Sequence, residues 1–277
     1  MKKRYNLADD SFTSDLVARL ITSRKYKDVG IPEQTLLDLV GKTTLTHADP
    51  KEVEDIVRQK LHNLVAPYLG DPDYAELLDS LRDLPPELGS ADVRQFCLQV
   101  LNAHSSTRER IPVDEEFYRE IFRFTGTPRT IMDVACGLNP FALPWMHLQS
   151  DTRYLAYDLH QPRVDLINAF LAHVGQNGSA IHQDILVDPP KVPADVVFFF
   201  KEAHRFDQRE HGCNRSFLRK LPAKYILLSL PTVSLTGRRS MLDQDRRLVE
   251  AACDGQGWQV SELLFDSEIV FCIRKEA

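Results

Sequence analysis

Several residues able to do polar chemistry stand where short apolar runs end: Asp133 to Gly137, Asp158, Asp184 with Ile185, and Lys201. The first run, residues 130–135, leads into Cys136-Gly137-Leu138-Asn139-Pro140. A dinucleotide needs a turn rich in glycine, so that backbone amides can approach the pyrophosphate. Here there is one glycine, and Pro140 removes one of those amides. Such a turn suits a nucleoside ligand without phosphate, and S-adenosylmethionine is the common cofactor of that description. Asp158 is suited to accept hydrogen bonds from two ribose hydroxyls. Asp184 could then accept from an adenine amino group, with Ile185 against the ring. The plainer alternative is that both acids only cap helices.

These residues need a frame that brings strand ends together. Apolar runs at 130–135, 154–158, 180–185, 196–201 and 225–230 are separated by segments long enough for crossover helices. That alternation predicts a parallel sheet with helices on both faces, where ligands bind at the carboxyl ends of the strands. Runs at 259–265 and 268–273 are joined only by Asp266-Ser267, which predicts an antiparallel hairpin. Before residue 110 the pattern is helical. Phe12, Leu16, Leu20 and Ile21 share one face, and Asp49-Pro50 opens a second helix whose stripe is Val53, Ile56, Val57, Leu61 and Leu64. Shorter helices are expected at 73–83 and at 90–103, the latter capped by Ser90. Ser106 to Glu109 fits a capping box. The fold class is therefore α/β, a Rossmann-like sheet preceded by an all-α domain, with domains at 1–110 and 111–277.

Composition narrows the function. The 277 residues are 43% hydrophobic, enough for ordinary cores, and the formal net charge of −6 argues against non-specific coating of nucleic acid. No apolar run reaches the 18 residues of a membrane span, and the N-terminus lacks a signal-peptide pattern, so a cytoplasmic protein is expected. The five cysteines are scattered without metal-ligand spacing; they read as free thiols, with no metal.

His104-Ser105-Ser106-Thr107-Arg108-Glu109-Arg110, Glu116-Phe117-Tyr118-Arg119, Ala135-Cys136-Gly137-Leu138-Asn139-Pro140, Pro144-Trp145-Met146 and Lys201 together resemble the aminoglycoside-resistance 16S ribosomal RNA methyltransferases that modify guanine N7 at position 1405. The resemblance implies a class I methyltransferase core, a helical domain that docks on the 30S subunit, S-adenosylmethionine as cofactor, and a monomer. It implies that Arg108 pairs with the cofactor's carboxylate, that Ala135 and Gly137 lie against it, that Asp158 takes the ribose, and that Asp184 and Ile185 hold the adenine. Lys201 would line the methyl-transfer site. Lys25, Arg58, Lys60, Arg238, Arg239, Met241 and Glu268 would face the RNA. Because guanine N7 already carries a lone pair, no general base is expected, and His104 and His204 read as supports for the fold or the pocket. Trp145 reads as core. The rival readings are a class I methyltransferase with another RNA or small-molecule target, and a ribosome-binding relative without turnover.

Overall fold

A computed structural model describes residues 10–66, 71–233 and 241–275. Its centre is a seven-stranded sheet: β1 Thr130–Val134, β2 Arg153–Asp158, β3 Gly178–His182, β4 Ala194–Phe200, β5 Ala223–Pro231, β6 Gln259–Leu264 and β7 Glu268–Arg274. The spatial order is β3-β2-β1-β4-β5-β7-β6. β1 to β5 are mutually parallel, and β7 runs antiparallel between β5 and β6. The expected hairpin is thus the sheet's last two strands.

The central strands are apolar on both faces because both faces are covered. In β4, Phe198 and Phe200 join one core with Ile131, Tyr154 and Phe170, whereas Val197 and Phe199 join the other with Met132, Val134 and Phe217. The first core is closed by α4 Tyr74–Arg82, α5 Ala91–Ala103, α7 Asp114–Thr125, the short α8 Leu143–Met146 and α9 Gln161–His173. The second is closed by α10 Ala203–Arg209, α11 Cys213–Lys220 and α12 Leu242–Cys253. The helices before residue 110 therefore divide. α1 Asp10–Ile21, α2 Glu33–Thr44 and α3 Pro50–Val65 bury a core of their own around Leu16, Leu20, Val40, Val57 and Leu61, while α4 and α5 pack with the sheet.

Local signals account for the element ends. Asp49 caps α3, its Oδ1 accepting from the amides of Lys51 and Glu52 at 2.9 Å each, with Pro50 at the first position where no donor is missed. Asp49→Ala is expected to lower stability by about 1 kcal/mol. A denaturation midpoint equal to wild type would mean that Pro50 alone sets the helix start.

Two expectations are corrected. The short helix α6, Ser105–Arg108, starts before Ser106, so the capping box does not form. Ser106 Oγ instead meets His104 Nδ1 at 2.7 Å, and Thr107 Oγ1 donates back to the Leu101 carbonyl. β3 ends at His182 rather than at Ile185, because Asp184 draws the chain into a turn: its Oδ1 accepts from the Leu186 amide and its carbonyl from the Val187 and Asp188 amides. Residues 183–193 form no crossover helix, in keeping with Pro189-Pro190, which remove two helical donors.

Candidate functional site

β1 and β4 are neighbours whose chains leave in opposite directions along the sheet, so their carboxyl ends flank the switch point. Both runs end in a left-handed residue that is not glycine, Ala135 at φ 51° and Lys201 at φ 59°. Such a conformation costs about 1–2 kcal/mol per residue and must be held by its surroundings. Here the Cys136 amide donates to Tyr157 and the Lys201 amide to Ser229, each at 2.9 Å. Gly137 follows at φ 54°, and a Cβ there would meet only Arg163 Nη1 at 3.9 Å. The glycine is needed for its backbone angle more than for room.

The strand ends open onto a cavity of 290 Å³ that gathers Ala135, Gly137, Asp158, Asp184, Ile185 and Lys201. Six of the residues singled out as cofactor contacts thus share one space. Asp158 is 5% exposed and already heavily engaged. Oδ1 accepts from the His160 amide at 2.9 Å; Oδ2 accepts from the Gly137 amide and from Arg163 Nη1, both at 3.0 Å. A carboxylate offers about four acceptor positions. With three donors in place, about one position stays open.

Arg163 is the wall behind Asp158, and sequence reasoning missed it. Its Nη2 donates to Asp71 at 2.7 Å and its Nε to the Tyr74 hydroxyl at 3.1 Å. Burial alone would raise the Asp71 carboxyl; His160 and Arg163 outweigh it and hold the group below the ordinary range.

A second buried network stands behind Lys201. Arg110 donates to Glu268 from Nε at 3.1 Å and from Nη2 at 2.7 and 3.0 Å, and from Nη1 to Asn139 Oδ1 at 2.8 Å. Its guanidinium lies 4.3 Å from the Phe117 ring centre and 4.7 Å from that of Phe200. Lys201 Nζ donates to Glu109 at 2.9 Å and is 3.5 Å from Glu268. Burial would raise the Glu268 carboxyl, but Arg110 and Lys201 keep it ionised and below its usual range. Glu268 is 1% exposed. It is an internal counter-ion in this structure, which corrects its expected place on the RNA-facing surface.

The other candidates fall elsewhere. Arg108 is exposed, reaches the Asn102 carbonyl at 3.4 Å, and does not line the cavity; the arginine of that motif which does is Arg110. Lys60 is exposed, lines the cavity and donates to Thr43 Oγ1 at 3.2 Å. Arg58 is held by Glu54 at 2.7 Å, and Lys25 is exposed with Nζ 5.4 Å from the Tyr26 ring centre. Met241 adjoins the start of α12, its amide donating to the Thr232 carbonyl. Arg238 and Arg239 lie outside the described residues.

The histidines behave as supports. His104 lines the cavity and burial depresses its pKa, so it is neutral; His204 Nε2 meets the fully buried Asp245 at 2.7 Å, tying α10 to α12. Trp145 packs against the first core. No helix among the described residues is long and apolar enough to cross a membrane.

A parallel sheet in this order, completed by one antiparallel strand and with a cavity at the carboxyl ends of its parallel strands, is that of a class I methyltransferase. The chain belongs to the ribosomal RNA methyltransferase (FmrO) family, whose model matches residues 22–272. It is 30% identical to a 16S rRNA (guanine(1405)-N(7))-methyltransferase of Micromonospora echinospora over 94% of this chain and 96% of the relative. A protein of the same name from Micromonospora rosea is 29% identical over 96% of this chain and 98% of the relative. Among solved structures, the 16S rRNA methyltransferase RmtF in complex with S-adenosyl-L-homocysteine superposes with a TM-score of 0.76 at 23% identity, covering 97% of this chain and 100% of that one.

Proposed function

We propose that this chain transfers a methyl group from S-adenosylmethionine to N7 of guanine 1405 of 16S ribosomal RNA within the 30S subunit, and so confers aminoglycoside resistance. The observation that carries the reading is the single-glycine turn at Gly137 opening beside Asp158 in a chain that matches this family over most of its length. The relatives named above supply the substrate.

The cofactor, when bound, supplies an electrophilic methyl on a sulfonium. The chain's own work is placement. Ala135 and Gly137 offer close backbone approach, Asp158 takes one ribose hydroxyl at its free acceptor position, and Asp184 with Ile185 borders the adenine. Arg163 holds Asp158 in register. N7 needs no deprotonation, and Lys201, the basic side chain at the end of β4, is already shared between Glu109 and Glu268. Rate enhancement then comes from holding donor and acceptor in near-attack geometry, with the base turned out of its stack. In this reading the helical part, residues 1–110, docks on the subunit with Lys25, Arg58 and Lys60 toward RNA, and the methyltransferase part adds Arg238, Arg239 and Met241. Methylation would remove the N7 acceptor and leave a positive charge on the purine, both unfavourable to a cationic drug. A cytoplasmic monomer fits this role.

The deciding experiment is methyl transfer from labelled S-adenosylmethionine to purified 30S subunits, with mapping of the modified nucleotide. Label at guanine 1405 is expected. Asp158→Ala should weaken cofactor binding about 10- to 100-fold, the range for losing a hydrogen bond to a charged group. Cofactor binding without label on 30S would retain the fold and end the substrate assignment.

A further inference from the structure

The acid at the end of β2 is held from behind. Asp71, in the loop before α4, and Tyr74, the first residue of that helix, both reach Arg163 of α9. Asp71 Oδ2 accepts from Arg163 Nη2 at 2.7 Å and from the Tyr74 hydroxyl at 2.5 Å, and the same hydroxyl accepts from Arg163 Nε at 3.1 Å. The three side chains close a ring of hydrogen bonds. His160 Nδ1 lies 3.3 Å from Asp71 Oδ2, and its imidazole meets the Tyr74 ring edge-on, with 5.3 Å between centroids. The Asp71 and Arg163 side chains are each 4% exposed, so the ring is shut off from bulk water.

This ring decides how Arg163 meets Asp158. A guanidinium beside a carboxylate commonly engages both oxygens through two parallel N–H donors. Here the Nε–Nη2 edge is turned to Tyr74 and Asp71, and a single donor, Nη1, reaches Asp158 Oδ2 at 3.0 Å. Among the described residues, Oδ1 accepts from the His160 amide alone. Asp158 lines the cavity, and its open acceptor position is the one that a second Arg163 donor would fill. Without the charge of Asp71 the hold on Nη2 weakens, and the Nη1–Nη2 end can turn onto both oxygens of Asp158.

We infer that Asp71, with Tyr74, is a positioning residue for the ribose site, holding Arg163 to one bond with Asp158 so that an acceptor position stays open for a ribose hydroxyl. The inference rests on the reading of Asp158 as the ribose acid. Neither Asp71 nor Tyr74 lines the cavity, so both act through Arg163. One consequence is that the segment leading into α4 sets the affinity for the cofactor's sugar from outside the pocket.

The test measures dissociation constants of the full chain for S-adenosylhomocysteine and for its 2′,3′-dideoxy counterpart. Wild type should prefer the ribose form by about 10- to 100-fold, the range for a hydrogen bond to a charged group. Asp71→Asn keeps the size of the side chain and loses its charge. It should shrink the preference to about 3-fold or less as Arg163 fills the open position, while the dideoxy form binds within about 2-fold of wild type. Tyr74→Phe removes the Nε partner and keeps the Asp71–Arg163 pair, so an intermediate preference is expected. A wild-type preference in folded Asp71→Asn overturns the inference, and so does an equal loss for both ligands, which would make Asp71 merely structural; in either case the ribose reading of Asp158 stands. Equal affinity of wild type for the two ligands removes that reading and the inference with it. If Asp71→Asn does not fold, Tyr74→Phe carries the test, and an undiminished preference there overturns the inference.

Discussion

Arg110→Met is expected to cost about 3–5 kcal/mol of stability, the range for leaving one partner of a buried ion pair uncompensated. The stranded group would be Glu268, 1% exposed, with Lys201 at 3.5 Å as its remaining cation among the described residues. The methionine would still fill the slot between Phe117 and Phe200, so the loss reports charge rather than volume. Replacing both partners by methionine removes the desolvated charges together and should cost less than either single change. Urea denaturation of the two singles and the double gives the coupling directly. Additive losses would mean that Arg110 and Glu268 act independently, each through other neighbours. Asn139 is the one to watch, because Arg110 Nη1 and the Tyr118 hydroxyl both donate to its Oδ1 and its Nδ2 donates to Asp133.

Asp133 carries the second large effect, and it is one of pH. Burial pushes its carboxyl up to about 7, although the Tyr154 hydroxyl and Asn139 Nδ2 both donate to Oδ2. In the unfolded chain the group would titrate near 3.8. The native state therefore holds the proton more tightly, and the stabilisation is fully present below about pH 4 and lost as pH rises through about 7. One such group gives a slope approaching about 1.4 kcal/mol per pH unit, and about 4 kcal/mol across the window. Asp114, raised by burial to about 6 with Arg110 opposing, acts in the same direction over a narrower range. Glu268 acts oppositely: its depressed pKa makes its contribution present above about pH 4.5 and lost on acidification. Between about pH 4.5 and 7 the two raised acids act together with Glu202, whose carboxyl burial also raises, and against His104, whose pKa burial lowers. Asp133→Asn should flatten most of the slope seen in wild-type urea titrations, and an equal slope in the two proteins would remove Asp133 as its source.

Sequence alone revealed those parts whose signals are local. Asp49-Pro50 and Ser90 announce their helices because a cap bonds to amides two or three residues away. The strands declare themselves as apolar runs because neighbours cover them on both faces, and Gly137 and Lys201 are legible as the residues at which those runs stop. What eluded sequence reasoning depends on residues brought from afar. Arg110 and Glu268 are 158 positions apart, and Arg163 and Asp71 are 92 apart. Nothing in either member's surroundings marks the other. Arg108 and Arg110 sit in one motif, two places apart, and which of them turns inward is decided by the Phe117 and Phe200 rings that receive it.

The position of β7 bears on how the chain is made. Synthesis runs from the N-terminus at about 5–20 residues per second, and β7 is the last strand to appear, yet it belongs between β5 and β6 rather than at an edge. Until it arrives, β5 has an open side and Arg110 has no Glu268. A nascent chain thus carries its helices and five parallel strands for several seconds before its central charge can be neutralised. Closure of the methyltransferase core therefore waits on β7, and a chain truncated before Glu268 would be released with its sheet unfinished.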